Sequence, residues 1–249
     1  MSNPLFFVDD VPSEGHVRLT GAEGRHAVTV KRLAVGEHVS VADGRGRVAH
    51  GQVSEVIGRD ELVVAIQEVE QVTEPVPALT VVQALAKGER ADLAVELMTE
   101  LGVDRIIPWS AARSIAQWKG DKADRGADKW RTTAREAAKQ SRRARVPIVE
   151  EPVTSSQISA RIADGSPGSL TLVLHEGAQT SLIAEVRSAQ PIQNEVTLIV
   201  GPEGGISPEE LEEFVAAGAV AVRLGREVLR TSTAGGAACA AISPLIGRW

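Results

Sequence analysis

From residue 79 onward, short apolar runs alternate with helical stretches, and that alternation constrains the fold more than any other feature. "LTVVQAL" (79–85), "DRIIPW" (104–109), "SLTLVLH" (169–175), "EVTLIV" (195–200) and "AVAVRL" (219–224) each have the length and β-branched content of a buried strand. Between them lie "RADLAVELMTELG" (90–102), "SLIAEVRS" (181–188) and "SPEELEEFVAAG" (207–218), which read as helices. In the first helix Leu93, Leu97 and Leu101 fall on one stripe, and Gly102 is a natural stop. Strand–helix repetition of this kind builds an α/β domain around a mostly parallel sheet.

The first 72 residues follow a different pattern. "HVRLT", "EHVSVA", "GRVAHGQVSEVI" and "ELVVAIQEVE" are strand-like runs broken by Gly and Asp, with "DGRG" (43–46) a hairpin turn. Only "GAEGRHAVTVKRLA" (21–34) is helical in character. Closely spaced short strands predict a small barrel or sandwich. Pro75 and Pro77 then favour an extended linker, so a boundary near residue 72 is expected, giving domains 1–72 and 73–249.

In open α/β sheets, ligands bind beyond the carboxyl ends of strands. Three loops at such ends stand out: "HEGAQT" (175–180), "GPEGGIS" (201–207) and "GREVLRTSTAGG" (225–236). The second is followed by a strong helix start, with Ser207 as N-cap, Pro208 at the first helical position and Glu210 closing a capping box. Leu211, Phe214 and Val215 are expected to anchor that helix. Gly201, Gly204 and Gly205 lack the spacing of a dinucleotide fingerprint, and no Gly-Lys-Ser/Thr follows. Glu203 would repel a pyrophosphate, so a ligand with a positive or neutral face suits the loop better. The alternative is a tight turn that merely reverses the chain.

Net charge is −6, which argues against a uniformly basic nucleic-acid binder, but the distribution is uneven. Residues 129–145 hold seven Lys or Arg against one acid, Glu136, a local charge of +6. This segment reads as a helix with Trp130, Ala134, Ala137 and Ala138 inward and its cations toward solvent. One cysteine, Cys239, excludes an internal disulfide and a Cys-based zinc site. No apolar run approaches the ~20 residues of a membrane span, and "MSNPLFFVDDVPSEG" lacks the pattern of a signal peptide. A cytoplasmic protein is expected.

"LIVGPEGGISPEE" with "VRLGREVLRTSTA" resembles the RsmE family of 16S rRNA (uracil-N3) methyltransferases, in the SPOUT superfamily. "KGERADLAVELMTELGVDRIIPW", "KWRTTAREAAKQSRRARVPIV" and "GRHAVTVKRLAVGE" extend the likeness over nearly the whole chain. The resemblance implies an N-terminal PUA-like β-barrel joined to a C-terminal SPOUT α/β domain, whose chain end threads a trefoil knot. It implies methylation of N3 of a uridine in small-subunit rRNA near the decoding centre, with S-adenosyl-L-methionine as donor, no metal and a homodimer. Donor contacts carry over to Leu174, His175 and Glu176, to Gly201, Pro202, Glu203, Gly204 and Gly205, and to Leu224, Gly225, Val228, Leu229 and Arg230. Ser232 stands where the family pattern has an acid.

N3 of uracil is a weak acid, so its proton must leave, or charge on O2 and O4 must be stabilised, as the methyl arrives. Arg230 is the candidate for holding that charge; the alternative is an ordinary salt bridge or loop clamp. Glu203 is the candidate base or donor-orienting group, against a carboxylate bonded to loop amides. For RNA, the candidates are Arg135, Lys139, Arg142 and Arg143 on the basic helix, Arg25, His26, Lys31 and Arg32 near the start, and Arg113. A non-catalytic ribosome-assembly factor would need the basic helix but not the glycine-rich loops.

Overall fold

The structure, a computed structural model, describes residues 3–249. The chain folds as two compact units, one holding the residues up to Glu74 with Arg135–Val146, the other Pro75–Ala134 with Pro147–Trp249.

The first unit contains β1 (Leu5–Phe7), β2 (His16–Leu19), α1 (Gly21–Arg25), β3 (His38–Ala42), β4 (Arg47–Ile57) and β5 (Glu61–Gln71), with a π-helical turn at His26–Val30 after α1. The strands form one sheet in the order β1-β3-β4-β5-β2. The "DGRG" turn joins β3 to β4 as an antiparallel pair, as its Gly–Asp content predicts. β4 and β5 are long, and their pairing shifts register at His50/Gly51 and Val53/Glu55. Gly51 fits the first shift because a Cβ there would lie 2.2 Å from the Ala65 carbonyl. Alternate residues turn inward to a core of Phe6, Leu19, Val39, Val41, Leu62 and Val64.

The second unit adds β6 (Ala78–Ala84), α2 (Glu89–Glu100), β7 (Arg105–Trp109), α3 (Asp121–Gln140), β8 (Ile148–Val149), α4 (Ser155–Ala163), β9 (Leu170–Leu174), α5 (Leu182–Ser188), β10 (Glu195–Val200), α6 (Pro208–Ala216), β11 (Val220–Val222) and α7 (Thr231–Ile242); the residues of α3 from Arg135 belong with the first unit. Its sheet runs β11-β9-β10-β6-β7-β8, and every pairing is parallel. Val82, Ile107, Val173 and Ile199 face α4 and α6, where Trp109 meets Phe214 edge-on at 5.4 Å. The opposite alternation turns Gln83 toward α7, to the hydroxyl and carbonyl of Thr231.

Three expectations shift in phase. Leu93 is 40% exposed, and α2 buries Ala91, Ala94, Val95 and Met98, although Leu97 and Leu101 do pack on Gly236 of α7. Val215 is likewise exposed, leaving Phe214 and the partly buried Leu211 to anchor α6. The cations of α3 do not all face solvent. Lys139 is buried, its ammonium 2.8 Å from Glu23 and 3.2 Å from Glu136, because the face carrying Ala138 packs on Leu5, Phe7 and Val48.

Candidate active site

The chain leaves β6 toward β7 and leaves β10 toward β11, in opposite directions along the sheet, so a crevice opens between these strands at their carboxyl ends. Two adjoining cavities, about 350 and 90 Å³, lie beside that switch point, at the carboxyl ends of β9, β10 and β11. They share Leu174, Glu176, Val228, Leu229 and Ala234, so the loops after β9, β10 and β11 close on one space.

The middle loop is fixed from both sides. Ser207 caps α6, Pro208 opens it, and Glu210 completes the capping box. Glu210 does more: one carboxylate oxygen accepts from the Ala112 amide at 2.8 Å and the Ser155 hydroxyl at 2.7 Å. It thereby ties α4 and the 110–113 loop to the start of α6. At the other end, the Thr231 hydroxyl donates to the Gly201 carbonyl at 2.6 Å, fastening the loop to the start of α7.

The glycines serve different needs. A Cβ on Gly201 would lie 2.7 Å from Ile206, so that glycine permits tight folding of the loop onto itself. Gly205 has φ +72°, a left-handed conformation that disfavours a side chain. Gly225 faces open space, its nearest neighbour being a Glu227 oxygen at 3.8 Å. Gly204 departs from the expected set. It is absent from the cavity lining, and a Cβ there would press on the Arg113 Cβ and carbonyl at 3.2 Å. All the other candidate donor contacts named above line one or both cavities.

Charge on this lining is mixed. Glu203 faces Arg90 at 4.0 Å across the crevice, and among the described residues no loop amide donates to it. Arg230 occupies the N-cap position of α7, and its guanidinium makes no ion pair among the described residues. His175 accepts from the Gly177 amide at Nδ1, which places any ring proton of the neutral form on Nε2. Ser232 is buried in α7, away from the lining. Arg90 escapes a reading restricted to glycine-rich loops, yet it follows the carboxyl end of β6, where the same rule about strand ends applies.

Val228 and Leu229 are 75% and 40% exposed beside the cavity. Apolar side chains around a concave site with a few fixed polar groups suit an adenosyl group, and the carboxylates suit a sulfonium or ammonium. The residues present therefore fit a sulfonium nucleoside.

Comparison with known proteins agrees with this geometry. The RNA methyltransferase domain family matches residues 73–243, and the RNA methyltransferase PUA domain family matches residues 19–67. Ribosomal RNA small subunit methyltransferase E of Mycobacterium tuberculosis is 45% identical over 247 residues, covering 98% of this chain and 93% of the relative. The chain belongs to the ribosomal RNA small subunit methyltransferase E family. Its fold is that of the family, a PUA-like domain with a SPOUT methyltransferase domain. The Neisseria gonorrhoeae member, solved bound to S-adenosyl methionine, superposes with TM-score 0.84 at 24% identity over 98% of both chains. A Legionella pneumophila methyltransferase in complex with the cofactor SAM superposes with TM-score 0.82 at 25% identity, again over 98% of both.

The RNA candidates divide by environment. Arg25, Lys31, Arg32, Arg113 and Arg142 are exposed, whereas His26 is half-buried with its ring edge-on to Phe6. Arg135 lies over the Phe7 ring at 4.7 Å. Lys139 is removed from the set, since a phosphate would have to displace two carboxylates. Arg143 is half-buried.

Proposed function

We propose that the protein methylates N3 of a uridine in 16S rRNA near the decoding centre, with S-adenosyl-L-methionine held where the three strand-end loops meet. The observation that carries this reading is the placement of Glu203 and Arg230, the latter without an ion pair among the described residues, on the lining of one cavity. When bound, the donor supplies a methyl group already activated on a sulfonium. Leu174, Val228 and Leu229 cover its adenosyl portion, and the backbone of 201–203 with Gly205 closes over it.

As N3 bonds to the methyl carbon, the N3 proton leaves and the carbon–sulfur electron pair stays with sulfur. Arg230 holds the developing charge on the uracil carbonyl oxygens, its planar fork offering two parallel donors. Glu203 accepts the proton and lies close enough to solvent to release it. The exposed cations at 25, 31, 32, 113 and 142, with Arg135 and Arg143, hold the RNA backbone. The protein acts in the cytoplasm as a homodimer, and its chain end threads the knot implied by the family.

The test uses small subunits from cells lacking this modification, incubated with the protein and methyl-labelled S-adenosylmethionine. Digestion of the 16S rRNA to nucleosides should place the label in 3-methyluridine. Label on a ribose or on carbon 5, or none at all, would overturn the reading.

A further inference from the structure

The first unit carries a cavity of about 600 Å³ that methyl transfer does not use. Its floor is apolar, formed by Leu5, Val48 and Ala144. Three of its polar groups, Ser40, His50 and Glu70, are ordered across three strands. Ser40 of β3 and His50 of β4 pair in register, and the Ser40 hydroxyl lies 2.9 Å from His50 Nδ1. The other ring nitrogen, Nε2, lies 3.3 Å from a Glu70 oxygen on β5. With Nε2–H donating to that carboxylate, Nδ1 accepts from the Ser40 hydroxyl, so both ring nitrogens are occupied and the carboxylate is held in place.

Arg142 supplies the opposite charge. It lies just beyond the end of α3 in a left-handed conformation, φ 57°, and its guanidinium is exposed and unpaired among the described residues. The cavity thus presents an oriented carboxylate acceptor and a cation above an apolar floor. A simple anion would be repelled by Glu70, and a purely apolar ligand would strand His50, Glu70 and Arg142 without water. A nucleotide satisfies all three features: base N–H donors, a flat apolar face and a phosphate.

We infer that this cavity binds one unstacked nucleotide whose base directs paired N–H donors, as guanine does, to Glu70, with its phosphate on Arg142. The source is a single-stranded segment of the RNA substrate, which rests on the functional reading above. Fluorescence anisotropy tests it, using a labelled uridine oligonucleotide with or without one central guanosine. The parent protein should prefer the guanosine strand by about tenfold, as expected for hydrogen bonds to a charged group. Glu70→Gln should abolish the preference, because an amide offers one acceptor where the base needs two. Glu70→Ser, at the same half-exposed position, is the second variant and should do the same. Arg142→Gly, which suits the left-handed backbone, should weaken both strands.

Guanosine monophosphate is the competing arm. Equal competition by it, lost in the Glu70 variants, assigns the site to free nucleotide; weak competition assigns it to the strand. No preference in the parent, or one that survives both Glu70 variants, overturns the inference. Loss of methyl transfer to small subunits with the guanosine preference intact would instead count against the enzymatic reading alone.

Discussion

Arg230 and Glu203 separate what local sequence reveals from what needs three dimensions. Both stand out in glycine-rich loops, but only the structure gives Glu203 its partner Arg90, 113 positions earlier in the chain, and leaves Arg230 with no ion pair among the described residues. If Arg230 stabilises charge on uracil, Arg230→Lys should slow single-turnover methyl transfer by ~10²–10³-fold while donor and RNA affinities stay near the parent values. A rate within about threefold would move the role to Glu203. Cys239 gives a pH prediction. Burial pushes its thiol up to about 12, above its ordinary value near 9. The unfolded chain therefore loses this proton first as pH rises. The contribution to stability is complete below about pH 8.5 and is lost progressively toward pH 12. Urea midpoints across pH 8–11 should fall more steeply for the parent than for Cys239→Ala. The capping box at 207–210 is legible because its partners are three residues apart, whereas Glu210's bonds to Ala112 and Ser155 join distant segments and leave no local pattern.

At the scale of elements, period is readable and phase is less so. The stretch that became α2 has a helical apolar repeat, but its buried face is set by what lies against it. Gly236 of α7 brings the two helices close, with Leu97 and Leu101 only 3.1 and 3.2 Å from a Cβ placed there. Small residues in α7 thus serve packing within the chain as well as any packing between chains. Gly236→Val should cost about 1–3 kcal/mol by overpacking, read as a lower urea midpoint. The basic helix shows the same limit. Its charge count is evident in sequence, yet one of its lysines neutralises Glu23 instead of facing solvent. Lys139→Met should cost about 3 kcal/mol by stranding that carboxylate, and leave the salt dependence of RNA affinity unchanged. Removing Arg142 should flatten the log–log salt slope on single-stranded RNA by about 0.7. A slope flattened by Lys139→Met as much as by loss of Arg142 would return Lys139 to the RNA surface.

For the whole molecule, the division into a strand-rich unit and a parallel α/β unit follows from alternation and turn residues. β1 is three residues long and pairs in parallel with β3, too short to carry a periodic signal. The assignment of Arg135–Val146 to the first unit is equally hidden, because a continuous helix gives no local mark of changing company. The proposed homodimer should sediment at about twice the 26.3 kDa of the chain, and a fully active monomer would contradict it. The central claim is that three strand-end loops form one donor cavity. Gly225→Val tests it most directly, because the new side chain enters open space beside that cavity without crowding the protein. Calorimetry should show the parent binding S-adenosylmethionine, and the variant, melting at the parent's temperature, binding it at least about tenfold more weakly. Unchanged affinity in the folded variant would contradict the account.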